Sequence, residues 1–129
     1  MAVASWSQAP SSDTFSLAGI WASTYDPGAG TWSAPQRLGG DGTPPGVIGR
    51  NATFPQVAFD GAGNALAVWH QNDGVSSAHT NLWAAWRPAG GAWTAAQAIT
   101  TENSVTGGDR RVAFDGAGNA FILYTASPG

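Results

Sequence analysis

The chain has 129 residues, of which 43% are hydrophobic, so it is long and apolar enough to form a packed core. It contains no Lys and only five Arg and carries a net charge of −3, which argues against nucleic acid or an anionic membrane surface as a partner. The absence of Cys excludes disulfides and thiolate metal sites, and no apolar run is long enough for membrane insertion as a helix.

Turn residues are frequent, with 18 Gly and 8 Pro, which favours short strands joined by tight turns over helices. The apolar segments between these turns predict nine strands and an all-β fold. We label the strands a to d by their place in a repeat unit. In chain order they are b (2–8), c (16–25), d (31–38), a (55–59), b (65–71), c (81–87), d (92–99), a (110–114) and b (120–125). The segments 39–54 and 101–109 are predicted linkers.

An internal repeat organises these strands. The sequence Val-Ala-Phe-Asp-Gly-Ala-Gly-Asn-Ala occurs at 57–65 and again at 112–120. Its two apolar halves flank a Gly-rich turn and predict an antiparallel a–b hairpin. A second hairpin, formed by strands c and d with Trp on both sides of a Gly-rich turn, also occurs twice, at 20–38 and 82–99. Together the two hairpins predict a four-stranded antiparallel sheet as the repeating unit.

The turn between strands a and b contains Asp60 in one repeat and Asp115 in the other. Asp and Asn side chains bond to the amides of such turns, and Gly accepts their positive φ. Calcium prefers six or more oxygen ligands, whereas each loop offers one carboxylate, one amide and a few carbonyls. We therefore predict that both Asp side chains cap their turns rather than bind calcium.

Strand b at 65–71 begins Ala-Leu-Ala-Val-Trp, which is apolar at every position. A strand without alternation is typical of burial on both faces. Its small Ala residues would let neighbouring sheets approach closely. We therefore expect this strand to lie between two stacked sheets.

The sequence Val-Ala-Phe-Asp-Gly-Ala-Gly-Asn-Ala-Leu-Ala-Val-Trp at 57–69 resembles the repeats of bacterial β-propellers, and the Trp-flanked second hairpin resembles blades of small propeller lectins. No Ser-x-Asp-x-Gly-x-x-Trp run of the sialidase type is present. The resemblance implies β-propeller-like blades in a single domain (1–129), with a full blade at 55–100 and partial blades at 1–38 and 110–125. It also implies a bacterial protein, which we expect to be secreted or periplasmic.

A propeller needs four to eight blades, and this chain supplies only about two and a quarter repeats. We therefore expect self-association into a homo-oligomer, either a trimer or a dimer. A slice of a longer repeat protein and a small monomeric β-sandwich are alternatives. Strand a at 110–114 has two candidate b partners, its own at 120–125 and that of another copy at 2–8, and the sequence does not choose between them.

The seven Trp residues suggest sugar stacking, because an indole face suits the C–H face of a pyranose. We expect Trp69 and Trp93 to be core residues. Asn81 is one polar neighbour that could orient a ligand. The remaining candidates for the ligand site are Trp86, Arg87, Trp83, Trp21, Gln71 and His70.

Catalytic and metal chemistry have little support in the sequence. His70 and His79 are only two metal-ligand candidates, and we expect both to be solvated loop residues. Glycoside hydrolysis needs a carboxylate pair, but the single Glu102 lies in a polar linker. No Gly-x-Ser-x-Gly elbow nominates a nucleophile. We expect no cofactor, no bound metal and no catalytic residues.

The sequence therefore favours a non-catalytic repeat module that binds a ligand such as a glycan between its blades. The glycan is implied by the aromatic content and the resemblance. A structural or interaction scaffold without its own ligand is the alternative, and a glycosidase-like enzyme is less favoured.

Overall fold

The computed structural model describes residues 2–8, 18–40, 51–76 and 79–127. These residues form β-strands and no helix, which confirms the all-β prediction. The strands are β1 (Ala2–Gln8), β2 (Gly19–Asp26), β3 (Thr31–Trp32), β4 (Gln36–Gly39), β5 (Ala52–Phe59), β6 (Ala65–Asn72), β7 (Thr80–Arg87), β8 (Gln97–Ala98), β9 (Val105–Phe114) and β10 (Ala120–Ala126).

The described strands form three antiparallel sheets, which follow one another in chain order. In the first sheet β1 pairs with β2, and β3 and β4 both pair with β2. The second sheet has the order β5-β6-β7-β8, and the third is the hairpin of β9 and β10. Antiparallel sheets are thus confirmed, and the second sheet has the predicted four strands in the order a-b-c-d. The first sheet has four strands because its predicted d strand is divided into β3 and β4. None of the described sheets closes on itself. Strand a at 110–114 pairs with its own strand b within the same chain.

The strands lie where the repeat predicts them, but the predicted linkers 39–54 and 101–109 extend into residues that form strands in the structure. β9 begins at Val105, inside the predicted linker 101–109, because Val105 is buried and pairs with Ala126 of β10. β5 likewise begins at Ala52, inside the predicted linker 39–54. Residues 16 and 17 of the first c strand, and residues 41–50 of the first linker, lie outside the described residues.

The two predicted d strands are broken in the structure, and in both a hydroxyl replaces a backbone acceptor. The hydroxyl oxygen of Ser33 accepts the N–H of Thr24 at 3.0 Å, and that of Thr94 accepts the N–H of Trp86 at 2.9 Å. Because these side chains take over the pairing, the outer strands need not continue as regular ladders. The prediction of an unbroken d strand was therefore wrong in both repeats.

The main core lies between the first and second sheets. It is formed by small and aliphatic side chains around one indole, namely Ile20, Ala22, Leu38, Ala52, Ala67, Trp69 and Ala85. The indole of Trp69 lies directly against Gly39 at the end of β4. A Cβ added to Gly39 would come within 2.5 Å of the Trp69 ring, so close packing of the two sheets requires Gly there.

The third sheet covers the opposite face of the second. The Arg110 guanidinium lies 5.1 Å from the Phe54 ring centroid and donates from Nη1 to the Phe54 carbonyl at 2.6 Å. Phe54 has a φ of 55°, at an irregularity in the pairing of β5 with β6. With sheets on both sides, Val68 and Trp69 of β6 are fully buried. The prediction that this strand is buried on both faces is confirmed.

Candidate ligand groove

The two a–b turns are built identically around their Asp side chains. One carboxylate oxygen of Asp60 accepts the N–H groups of Ala62 and Asn64, each at 2.9 Å, and the other accepts the Asn64 side-chain amide at 2.8 Å. Asp115 makes the same three bonds to Ala117 and Asn119. The predicted turn capping is confirmed.

These hydrogen bonds also fix the charge of both loops. The bond from the Asn64 side chain is the main cause that lowers the pKa of Asp60 below its usual range, and backbone amides of the turn act in the same direction. Asn119 lowers the pKa of Asp115 in the same way. Both carboxyl groups are therefore ionised at neutral pH.

An open groove of about 470 Å³ lies between the two turns, at the end of the second and third sheets. The sheets stack so closely here that Gly118 is near Asp60: a Cβ added to Gly118 would lie 3.6 Å from a carboxylate oxygen of Asp60. The groove is lined by Asp60, Gly61, Ala62, Asn64, Trp86, Asp115, Gly116, Ala117 and Gly118. It thus combines two carboxylates, an amide side chain and one indole.

Trp86 is the aromatic wall of this groove. It is half-buried, and its ring is held by Phe114 of the third sheet, with centroids 6.1 Å apart and planes at 52°. The corresponding residue of the first sheet is Thr24, whose N–H is bonded to a hydroxyl in the same way. Since the repeat itself needs no aromatic side chain at this position, Trp86 is a feature of this groove rather than of the repeating core.

Arg87 lies in a different groove, because neighbouring residues of a strand point to opposite faces. That groove, of about 330 Å³, lies between the first and second sheets and is also lined by Trp93, Ser33 and Gln36. One guanidinium nitrogen of Arg87, Nη1, is buried without a hydrogen-bond partner among the described residues. Trp86 and Arg87 therefore do not contribute to a common site.

Gln71 and His70 are internal residues. The Gln71 side-chain oxygen accepts the N–H of Gly40 and the indole N–H of Trp69, both at 2.9 Å, and so joins the first two sheets. His70 is only 6% exposed and meets the Phe54 ring edge-on. Burial, with the nearby Arg110 charge, lowers the His70 pKa to about 4.

The prediction of a solvated loop was therefore wrong for His70, because β6 continues through this position between two sheets. His79 does lie in a loop, where its ring is 2.9 Å from an Asp73 carboxylate oxygen. Asp73 itself accepts the N–H groups of Val75 and Ser76, which lower its pKa.

The other two predicted indoles lie away from the groove. Trp83 is opposite Trp69 in the β6–β7 pairing and packs against the core. Trp21 is opposite Trp6 in the first sheet. The six predicted site residues are therefore distributed over the grooves, the sheet interfaces and the first sheet, and only Trp86 lines the groove between the turns.

The sequence did not predict that Asp60 and Asp115 share one groove. The signal was present, because two identical hairpins in stacked neighbouring sheets bring identical turns side by side. Among the described residues no three His, Asp or Glu side chains cluster as metal ligands. The described part of the chain contains no helix that is long and apolar enough to cross a membrane.

No protein-family model matches the chain, and neither curated proteins nor solved structures show significant similarity to it. The grooves and faces described above are therefore the features that bear on function.

Proposed function

We propose that the chain is a non-catalytic repeat module of the β-propeller type, which associates with itself and binds a glycan in the groove between its two Asp turns. The propeller part of the proposal is supported by antiparallel sheets that follow one another in chain order and pack face to face. β5 and β9, the first strands of the second and third sheets, lie next to each other, as the first strands of neighbouring propeller blades do.

Glycan binding is supported by the combination of one indole and two carboxylates in the same groove. A pyranose presents an apolar C–H face, which the Trp86 indole can stack against, and a rim of hydroxyl groups, which donate to carboxylates. Asp60 and Asp115 are ionised and each accepts bonds from its own turn, so their oxygens are held in place before a ligand arrives. Such preorganisation lowers the entropic cost of binding.

The same geometry argues against glycoside hydrolysis. A glycosidase needs one carboxyl group that stays protonated as the acid and one that is ionised, so their environments must move the two pKa values apart. Asp60 and Asp115 have matching hydrogen bonds, and both have lowered pKa values. The two carboxyl groups are therefore not set apart as acid and base, which supports a non-catalytic role for this groove.

Binding can be tested on a glycan array, followed by titration of the best hit with intrinsic fluorescence as the readout. We expect Trp86→Ala to weaken binding at least tenfold, about 1.4 kcal/mol, because the stacking surface is lost. Trp32→Ala is the matched control: Trp32 is 52% exposed, packs on Tyr25 and lies outside the groove, so its removal should leave affinity unchanged.

A blank array for the wild-type chain, or equal affinities for wild type and Trp86→Ala, would contradict glycan binding in this groove. The scaffold alternative is favoured by one observation, the exposure of Phe121 and Leu123 on the third sheet. A stable oligomer that binds no glycan would support that second function.

A further inference from the structure

The third sheet leaves one apolar face uncovered. In the β9–β10 pairing, Phe121 is opposite Ala113 and Leu123 is opposite Arg111, so these four residues share a face. They point away from the second sheet, because Arg110 and Phe114, on the other face, contact it. Phe121 is 61% exposed and Leu123 is 72% exposed. We call Arg111, Ala113, Phe121 and Leu123 the open face.

The second sheet shows what normally covers such a face. Leu66 and Val68 occupy the positions that Phe121 and Leu123 occupy in the next repeat, and Val68 is fully buried. The covering layer at Val68 is the next sheet in chain order. The same relation holds one step earlier, where Ile20 and Ala22 of the first sheet are buried against Trp69 of the second. The first and second sheets therefore each bury an aliphatic face against the sheet that follows in the chain.

The first sheet leaves the complementary kind of face partly exposed. In the second sheet, the face toward the predecessor is marked by Trp69, whose indole N–H donates to the Gln71 side-chain oxygen at 2.9 Å. In the first sheet, Trp6 donates to Gln8 in the same way, also at 2.9 Å. Trp69 is fully buried, whereas Trp6 is half-exposed and Gln8 exposed. The outer face is therefore defined by Ala4, Trp6, Gln8, Trp21 and Tyr25.

This matched Trp–Gln arrangement gives the outer face the same side-chain pattern as the face that the second sheet packs against its predecessor. At Gln71 the same acceptor takes a second bond, from the N–H of Gly40 in the preceding sheet. Gln8 has its indole partner in place and remains exposed. Among the described residues, one chain thus carries an exposed open face and a partly exposed outer face, at opposite ends of the stack of sheets.

We propose that the open face of one copy of the chain packs against the outer face of a second copy, head to tail. The inference rests on the self-association part of the proposed function and names the two faces that meet. Because the two faces differ, the contact is heterologous, and repetition of it gives a closed ring or an open filament rather than a symmetric dimer.

The test uses one substitution on each face. Leu123→Glu places a charge on the open face, and Ala4→Glu places one on the outer face. Sedimentation velocity should show concentration-dependent oligomers of the wild-type chain at tens of micromolar, and at least a tenfold weaker association for each variant alone. An equimolar mixture should form a dimer, because each variant retains one intact face. Val75→Glu is the matched control, since Val75 is 71% exposed in a loop outside both faces and should leave association unchanged.

A dimer in the mixture with monomers of each variant alone would establish the head-to-tail contact. A symmetric interface through one of the two faces would leave the variant of the other face associated as strongly as wild type, which would overturn the inference but leave self-association intact. A monomeric wild-type chain would overturn both. Thermal melting of each variant, which should stay near the wild-type value, separates lost association from lost folding. The glycan titration depends on Trp86, which belongs to neither face. It should be run below the association concentration, because its control residue Trp32 packs on Tyr25 of the outer face.

Discussion

β6 and β10 occupy the same place in the repeat, yet their surroundings differ. β6 lies between two sheets, and its Val68 and Trp69 are fully buried. The corresponding residues of β10, Leu123 and Tyr124, are 72% and 38% exposed. The turns that precede the two strands are nevertheless bonded identically around Asp60 and Asp115. Hairpin geometry is therefore encoded locally, whereas burial depends on which sheets stand beside the hairpin.

The largest expected difference concerns the aromatic residue of each strand. Trp69→Ala would leave a cavity in the core and should cost about 3–5 kcal/mol of unfolding free energy. Tyr124→Ala should cost roughly 1 kcal/mol, because much of the ring is already in water. Urea denaturation at low protein concentration measures both. Equal losses would show that Tyr124 is buried in solution as deeply as Trp69.

The contact between Trp69 of β6 and Gly39 of β4 can also be tested by a substitution at Gly39. Gly39→Ala would place a methyl group within 2.5 Å of the Trp69 ring and should cost up to about 3 kcal/mol, because the sheets must separate or the ring must turn. Gly61→Ala is the control, since nothing lies within 4 Å of its added Cβ, and it should stay within about 0.5 kcal/mol of wild type. A neutral Gly39→Ala would disprove the close approach of the first two sheets.

β6 and β10 also differ in how their stability should depend on pH. β6 contains the titratable His70, whereas β10 has Thr125 at the matching position. Burial lowers the folded-state pKa of His70 to about 4, whereas the unfolded chain takes up the proton near pH 6.5. Stability should therefore fall between pH 6.5 and pH 4, on the order of 2 kcal/mol, because the unfolded state binds the proton first.

Unfolding free energies measured across this range should be steeper for wild type than for His70→Gln. Asp60 and Asp115 lose their charge only below their own lowered pKa values, so they contribute at more acidic pH. Parallel pH profiles for the two proteins would place His70 in contact with water.

The smallest effect is expected at Leu123, which is more exposed than the large hydrophobic residues Phe121 and Tyr124 of the same strand. Leu123→Ser should change the unfolding free energy by less than about 0.5 kcal/mol in dilute solution, because Leu123 is 72% exposed. Thermal unfolding below the association concentration is the appropriate measurement. A loss above about 1 kcal/mol would mean that the monomer itself covers this face.

Most of the strand order was predictable because the nine-residue repeat marks hairpins by local turn chemistry. The Asp60 turn and the uniform apolar run at 65–69 both gave correct predictions, since turn capping and burial on two faces leave direct traces in residue order. The broken d strands were missed because Ser33 and Thr94 act through hydroxyl bonds that carry no periodic signal.

The candidate site was harder to predict for a geometric reason. Trp86 and Arg87 are adjacent in sequence, but a strand turns neighbouring side chains to opposite faces, and so they line different grooves. Asp60 and Asp115 are 55 residues apart, yet stacking brings their turns together. Which residues meet across stacked sheets depends on tertiary packing, which spacing along one chain does not encode.

The identical turns at Asp60 and Asp115 also bear on how such a chain can change length. Loss of residues 57–111 would join Gln56 to Val112 and leave a single intact copy of the repeated nonapeptide. The merged strand would keep its alternation and the turn its bonds, because both copies are bonded alike. Recombination between the two gene segments could therefore remove or add a whole sheet without creating a foreign junction, which makes sheet number an easily varied property of this architecture.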